Sequence, residues 1–315
     1  RAVLDCSDSP GGGCMSASPE RTVTIACEGE TSFGILHPAK GATGVVVIVG
    51  GPQYRVGSHR QFVQVARELA AAGHPVFRFD VRGMGDSTGD VLHTFEQVAP
   101  DIGAAIDALQ SHQPHVQRIV LWGLCDAAAA ALLYLNDRAD PRVGGLCLAN
   151  PWVRSPQGLA KTRVQHYYVK RLGQRDFWHK LLRGRVARGA TAELIRNVAL
   201  ATTSRSAPSL SVAAFQERML SAWQAFSGTT LVLLSGDDLT AQEFLRLAKG
   251  DARWRSVACS SRIQWEEIAG ADHTFSREPG QRRATALTLD WLGTFHGETR
   301  PDACACRTIQ SMEAP

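Results

Sequence analysis

The stretch RIVLWGLCDAAAAALLYL, residues 118–135, decides how the rest of the chain reads. Residues 118–122 form an apolar, β-prone run, Gly123 breaks it, and from Asp126 to Leu135 alanine and leucine favour a helix. Between the two lies Gly123-Leu124-Cys125-Asp126-Ala127. This is the strand–turn–helix elbow pattern Gly-x-Ser-x-Gly, with Cys125 in the serine position and Ala127 in that of the last glycine. A nucleophile on so sharp a turn needs small residues two places before and after it, because neighbouring backbone passes close by. The helix that starts at Asp126 points its N-terminal N–H groups and positive dipole end at Cys125, which favours thiolate. The competing reading is a buried structural cysteine in an ordinary strand-to-helix turn, so the pentapeptide has to be weighed with its surroundings.

Working outward, short β-rich runs alternate with helical stretches, the pattern of a mostly parallel sheet covered on both faces. Residues 21–26 and 32–37 read as an opening antiparallel hairpin around Glu28-Gly29-Glu30. Residues 44–51, GVVVIVGG, are a continuous β-branched run suited to a central strand. A helix is expected over 58–72, stopping at Gly73, then a strand over 75–80 and a helix over about 94–112. A further strand is expected at 145–149. From Asn150 to about Phe226 no strand pattern occurs, while basic and aromatic helical segments do (162–172, 176–182, 191–199 and 213–225). A long helical excursion between two sheet strands reads as a cap over an active site. Strands resume at 229–234 and 263–268, and an amphipathic helix over 281–295 closes the domain. The expected division is a disordered lead-in (1–20), a core (21–149 and 227–297), a helical cap (150–226) and a polar tail (298–315). The fold class is α/β: an α/β-hydrolase fold with a mostly parallel central sheet, helices on both faces and a helical cap insertion.

In that fold the partners of the nucleophile follow it in the order acid, then base. The strand at 229–234 runs into Ser235-Gly236-Asp237-Asp238, carboxylates at a strand tip. After the last strand comes Gly270-Ala271-Asp272-His273-Thr274-Phe275, a histidine in a glycine-bearing loop before the final helix. His273 would take the proton of Cys125 or hold an ion pair with it. The acid, Asp238 or Asp237, would fix the imidazole tautomer. An oxyanion hole needs backbone donors. One expected donor is the N–H of Asp126. The other comes from the loop after residues 44–51, where Pro52 has no N–H and Gly51 therefore stands out. Gln53 and Tyr54 are candidate substrate contacts.

Composition narrows the partners. Apolar residues make up 44% and charged residues 20% of 315, a balance typical of a soluble globular chain. No apolar run approaches the ~20 residues of a membrane span, and residues 1–19 lack the apolar stretch of a secretory signal. A cytoplasmic enzyme is the expectation. The eight cysteines (Cys6, Cys14, Cys27, Cys125, Cys147, Cys259, Cys304 and Cys306) include no CxxC pair, so neither a metal nor any other cofactor is expected. Residues 154–205 hold twelve Lys/Arg against Asp176 and Glu193, in a chain whose net charge is +4. Their competing readings are a solvated helical surface, attraction of an anionic substrate or acyl carrier, and peripheral contact with an acidic membrane face. Nucleic acid is not expected, because no recognition motif accompanies the charge. Tyr167, Tyr168, Phe177 and Trp178 cluster among these cations and are candidates for an apolar acyl slot; the alternative is that they pack the cap onto the core.

The segments GGPQYRVGSHRQF, RFDVRGMGDS, LWGLCDAAAA, NPWVRS, HYYVKRLGQRDFWHKLL, SGDDLTAQEF and GADHTFS together resemble the exosortase A system-associated hydrolases, type 1. These are α/β-hydrolase-superfamily proteins of Gram-negative bacteria that pair exopolysaccharide production with PEP-CTERM protein sorting. The resemblance runs from about Arg21 to His296 and implies a hydrolase without implying a substrate. It includes the Gly-Leu-Cys-Asp elbow. It also favours Asp238 as the acid, since family members read Gly-x-Asp-Leu-Thr there. Within VFRFDVRGMGDS the superfamily segment Asp-x-Arg-Gly-x-Gly-x-Ser assigns Asp80, Arg82 and Gly83 to loop shaping. The expected function is hydrolysis of an ester or thioester, of a small-molecule or carrier-bound acyl substrate, through an acyl-enzyme on Cys125. The alternatives are acyl transfer or thioesterase action on a carrier-bound acyl group, and a catalytically idle scaffold.

Overall fold

The computed structural model describes residues 20–51, 53–154 and 210–296, with Ile309 and Met312. Eight strands form one sheet: β1 (Arg21–Cys27), β2 (Glu30–His37), β3 (Thr43–Ile48), β4 (Val76–Phe79), β5 (Arg118–Leu124), β6 (Val143–Ala149), β7 (Thr229–Ser235) and β8 (Ile263–Ile268). Their spatial order is β1-β2-β4-β3-β5-β6-β7-β8. β1–β2 and β2–β4 pair antiparallel, and every pair from β4–β3 onward is parallel. The hairpin turn falls on Glu28 (φ 46°) and Gly29 (φ 85°), the two positive angles that a tight two-residue connection needs.

Seven described helices accompany the sheet: α1 (Gln61–Ala71), α2 (Ala99–His112), α3 (Asp126–Arg138), α4 (Leu210–Ala225), α5 (Leu239–Gly250), α6 (Ala252–Ala258) and α7 (Glu278–Gly293). The alternation of strand residues sorts them into two layers. Val45, Val47 and Val49 face a core built with α1 and α7, through Phe62, Leu69, Leu287 and Trp291. Val46, Ile48 and Leu121 face a second core built with α2 to α6, through Ile106, Leu132, Met219, Phe244 and Trp254. The sheet and helix layers are those of an α/β-hydrolase fold.

Several boundaries differ from the sequence expectation, each for a local reason. The helix expected from residue 58 begins at Gln61, because His59 (φ 53°) and Arg60 (φ 61°) are left-handed and end a short 3-10 turn. The helix expected from about 94 begins at Ala99, with Pro100 in its first turn. Ahead of it, Thr94 and Gln97 close a turn of their own, the Gln97 N–H donating to the Thr94 carbonyl at 2.8 Å. α7 starts three residues earlier than expected, with Pro279 in its first turn. Helices α5 and α6 had no place in the sequence reading. Their signal was the capping aspartates: Asp238 accepts the Ala241 N–H, and Asp251 accepts those of Arg253 and Trp254.

The expected cap is described only at its ends. Residues 155–209, with Tyr167, Tyr168, Phe177 and Trp178, lie outside the described residues. α4, within the expected cap, buries Phe215, Met219, Leu220 and Trp223 in the α2–α6 core. Its C-terminal half therefore packs as part of the helical layer. Of the expected polar tail, Ile309 and Met312 are buried in that same core. The expected lead-in lies outside the described residues apart from Glu20, which pairs with Arg67 and Arg78.

At Gly123, behind the strand-to-helix turn, a Cβ would come within 2.6 Å of the Ala127 backbone. Gly123→Ala is expected to destabilise the protein by about 1–3 kcal/mol through overpacking. Gly250→Ala, where an added Cβ meets nothing within 4 Å, is the control. Urea denaturation of both variants checks this; equal midpoints would mean that the α3 backbone shifts without cost.

Candidate active site

Cys125 joins β5 to α3 with φ 63° and ψ −122°, a conformation unusual for a residue with a side chain. Four backbone hydrogen bonds hold it there. Its N–H donates to the Ala149 carbonyl at 2.9 Å, and its own carbonyl accepts from Trp152 (3.1 Å), Ala128 (3.1 Å) and Ala129 (3.4 Å). Gly123 behind the turn supplies the room just described. The Cys125 side chain is thereby carried out of the β-strand direction and onto the C-terminal edge of the sheet, where open α/β sheets bind ligands.

The loop between β8 and α7 brings His273 to the same edge. Asp272 shapes the loop by accepting the N–H groups of Thr274 (3.2 Å) and Ser276 (2.8 Å). Asn150, at φ 44° and fully buried, braces it from the end of β6. Its amide nitrogen donates to the His273 carbonyl and to the Ser235 hydroxyl, both at 2.9 Å, and its amide oxygen accepts the Ser235 N–H at 2.8 Å. The Ser235 hydroxyl in turn donates to the Asp272 carbonyl at 2.8 Å. Asn150 and Ser235 were not singled out from sequence. Asn150 stood only as the first residue of NPWVRS, and nothing local marks it as the support of a loop more than a hundred residues away.

Of the two candidate acids, Asp238 meets the histidine. His273 Nδ1 and Asp238 Oδ2 are 2.9 Å apart, while Asp237 is exposed and its N–H donates to the Ala271 carbonyl at 3.0 Å. Asp238 Oδ2 also accepts the Ala241 N–H at 3.0 Å, so the cap of α5 aims the carboxylate. With Nδ1 engaged, Nε2 is the ring nitrogen left for Cys125, which lines the same cavity as His273. Burial works against charge on this imidazole, but the hydrogen bonds and negative charge of Asp238 and Cys125 outweigh it and push its pKa up to about 10. The site thus favours the imidazolium form of His273.

Gly51 lies close by, with φ 58° in the turn after β3. Its N–H, expected to be free for an oxyanion, donates to Asp126 Oδ2 at 2.8 Å. Burial raises the pKa of Asp126, and the N–H groups of Gly51, Ala127 and Asp126 itself offset only part of that rise. The loop continues through Gln53, whose amide oxygen is buried without a hydrogen-bond partner among the described residues. Tyr54 is 49% exposed and does not line the cavity. Arg55 anchors the loop to Asp80, donating through its N–H at 2.6 Å and through its guanidinium. Arg82 is held by Asp101 through bonds of 2.9–3.2 Å, and Gly83 has φ 73°. These three residues of the 76–87 segment brace loops beside the site and do not line it.

A cavity of about 420 Å³ opens beside Cys125. Its walls include Cys125, Asp126, Gly51, Gln53 and His273, with Phe62, Phe95, Leu124 and Trp152 as an apolar side. Phe95 and Trp152 were missed from sequence because they lie in irregular segments with no periodicity. Arg154 stacks over Trp152, 4.5 Å from the ring centroid, and pairs with Glu243 at 3.0 Å, which fixes the indole. Among the described residues no cluster of three or more His, Cys, Asp or Glu could hold a metal ion. No described helix is long and apolar enough to cross a membrane.

Residues 41–242 match the family model of hydrolases described as serine aminopeptidase, S33. None of the curated proteins compared matches the sequence. The fold is similar to that of the Pyrococcus furiosus esterase Pf2001 (TM-score 0.59, 16% identity, 88% of this chain and 92% of that one). It is also similar to a thermophilic esterase from Thermogutta terrifontis (TM-score 0.52, 22% identity, 88% and 99%). A third relative in structure is the haloalkane dehalogenase DatA from Agrobacterium tumefaciens (TM-score 0.56, 18% identity, 87% and 97%).

The electrostatics of His273 can be read directly by NMR. Its ring is expected to stay protonated through neutral pH and titrate near 10, and Asp238→Asn is expected to bring the midpoint down towards the ordinary 6.5. A wild-type midpoint already near 6.5 would contradict the paired arrangement.

Proposed function

The chain belongs to the serine aminopeptidase, S33, family of hydrolases, and from that premise we propose that it cleaves ester or thioester bonds with Cys125 as its nucleophile. The observation that carries this reading is the Asp238–His273 hydrogen bond, placed on the same partly apolar cavity as Cys125 and its strained elbow. The family's description names a serine; here sulfur stands in that place.

The chemistry follows from the groups present. The Cys125 proton passes to His273, and the sulfur attacks the acyl carbon while the carbonyl π electrons move to oxygen. Collapse of the tetrahedral adduct breaks the bond to the leaving alkoxide or thiolate, which takes the proton from His273 Nε2. Water then attacks the acyl-thioester with His273 accepting its proton, and the second collapse releases the carboxylic acid and restores Cys125. Asp238 holds Nδ1 and stabilises the imidazolium throughout. The Asp126 and Gly51 N–H groups are the donors proposed for the oxyanion.

The apolar wall of Phe62, Phe95, Leu124 and Trp152 suits an acyl chain or another apolar group of the substrate. Two of the structural relatives are esterases, the class of acyl cleavage proposed here. A carrier-bound acyl thioester fits the same chemistry, and the motif resemblance supports a role beside exopolysaccharide and exosortase systems.

The test is to incubate the protein with p-nitrophenyl esters and acyl-CoA thioesters of graded chain length, and to map adducts by mass spectrometry. An acyl adduct on Cys125 is expected. Cys125→Ala should abolish both adduct and turnover, and Cys125→Ser should retain part of the turnover, because histidine and N–H donors remain. Undiminished turnover in the Ala variant would place the chemistry elsewhere; no adduct and no turnover with any probe would favour the scaffold reading.

A further inference from the structure

Asp126 follows the nucleophile and opens α3, yet its side chain turns back across the site to the loop after β3. There Oδ2 accepts the Gly51 N–H at 2.8 Å. Oδ1 is buried and has no hydrogen-bond partner among the described residues. Gly50 is shaped around this oxygen, for a Cβ at residue 50 would lie 2.0 Å from Oδ1. The carboxyl group therefore fills a space kept open by the missing side chain of Gly50. It also takes the donor that an acyl oxygen would need, a donor it would otherwise share with no other described group.

We propose that the Asp126 carboxyl group is a built-in occupant of the oxyanion site, holding the Gly51 N–H until an acyl group enters and thereby setting how fast Cys125 is acylated. The inference rests on the acyl-transfer reading above. On substrate entry the Gly51 N–H exchanges one acceptor, Asp126 Oδ2, for another, the acyl oxygen, and the carboxyl group withdraws from the donor. A structural brace would satisfy both carboxyl oxygens, whereas this one leaves Oδ1 unpaired beside the cavity, the mark of a group held in a costly position. Burial also favours the neutral acid, the form that releases an N–H most readily.

Asp126 could instead act on Cys125 only through its charge, and two reactions of the same sulfur separate the possibilities. Acylation by p-nitrophenyl acetate needs the oxyanion donors; alkylation by iodoacetamide needs only the thiolate. In the full chain, both second-order rates at Cys125 would be measured for wild type, Asp126→Ala and Asp126→Asn. Since loss of one oxyanion donor slows acyl transfer by a serine protease about 10²–10³-fold, freeing Gly51 is expected to raise the acylation-to-alkylation ratio about tenfold in the Ala variant. The Asn variant, still able to accept the N–H but without charge, should show a smaller rise, and it alone decides the matter if the Ala variant does not fold. An unchanged or lower ratio overturns the proposal, including the case in which both rates rise together. Wild-type acylation with an unchanged ratio sinks this inference alone; alkylation without acylation in all three proteins sinks it together with the acyl-transfer reading.

Discussion

The backbone of Cys125 is held at φ 63°, a conformation that costs an ordinary residue about 1–3 kcal/mol and persists only when its surroundings over-determine it. Here they do. β5 is locked on both sides by parallel partners, β3 and β6, and α3 is buried along its alanine face. The Ala149 carbonyl and the Trp152 N–H grip the residue from the next strand end. The close contact between Gly123 and Ala127 removes any Cβ that would push strand and helix apart. Relaxing this one turn would cost the packing of both elements, so the strain is maintained by the core rather than by the site.

Everything else at the sheet edge is arranged relative to that turn. Asn150 leaves β6 immediately after the Ala149 carbonyl and reaches the His273 loop, so the strand that holds Cys125 also holds His273. Asp238 serves twice, as the cap of α5 and as the partner of Nδ1. Each supporting residue satisfies a backbone group that would otherwise be orphaned at a strand or helix end. Orientation of the site thus comes from the ordinary requirement that buried polar groups be paired.

The carboxyl groups of Asp238 and Asp126 differ in environment. Asp238 has its acceptor oxygen committed to two donors and pulls the imidazole towards its charged form. Asp126 is desolvated and pushed towards neutrality, with one oxygen left unpaired. Separated environments of this kind let two acids of the same type take different parts in one reaction. The loop bearing Gly51 is itself restrained by Arg55, whose N–H and guanidinium both reach the buried Asp80. The donor that meets Asp126 is therefore as firmly placed as Asp238 and His273.

Sequence by itself determined the succession of strands and helices in the core, and it singled out Cys125 and His273 as candidates, because these depend on local signals: β-branched runs, an alanine-rich helix, glycines at turns, and a nucleophile–acid–base order along the chain. It left Asp237 and Asp238 open on residue type alone, since neighbours on a strand tip differ only in which way the chain turns there. The start of α5 decided that, by capping itself with Asp238. The left-handed pair His59–Arg60 was illegible for a similar reason, as neither residue type announces a positive φ. Asn150, Ser235, Phe95 and Trp152 carry no pattern of their own and acquire their places only when distant segments meet. The same holds for Asp126: the sequence supplied a backbone N–H at the helix start, and only the approach of β3 to α3, seventy-five residues apart, turned its side chain onto Gly51.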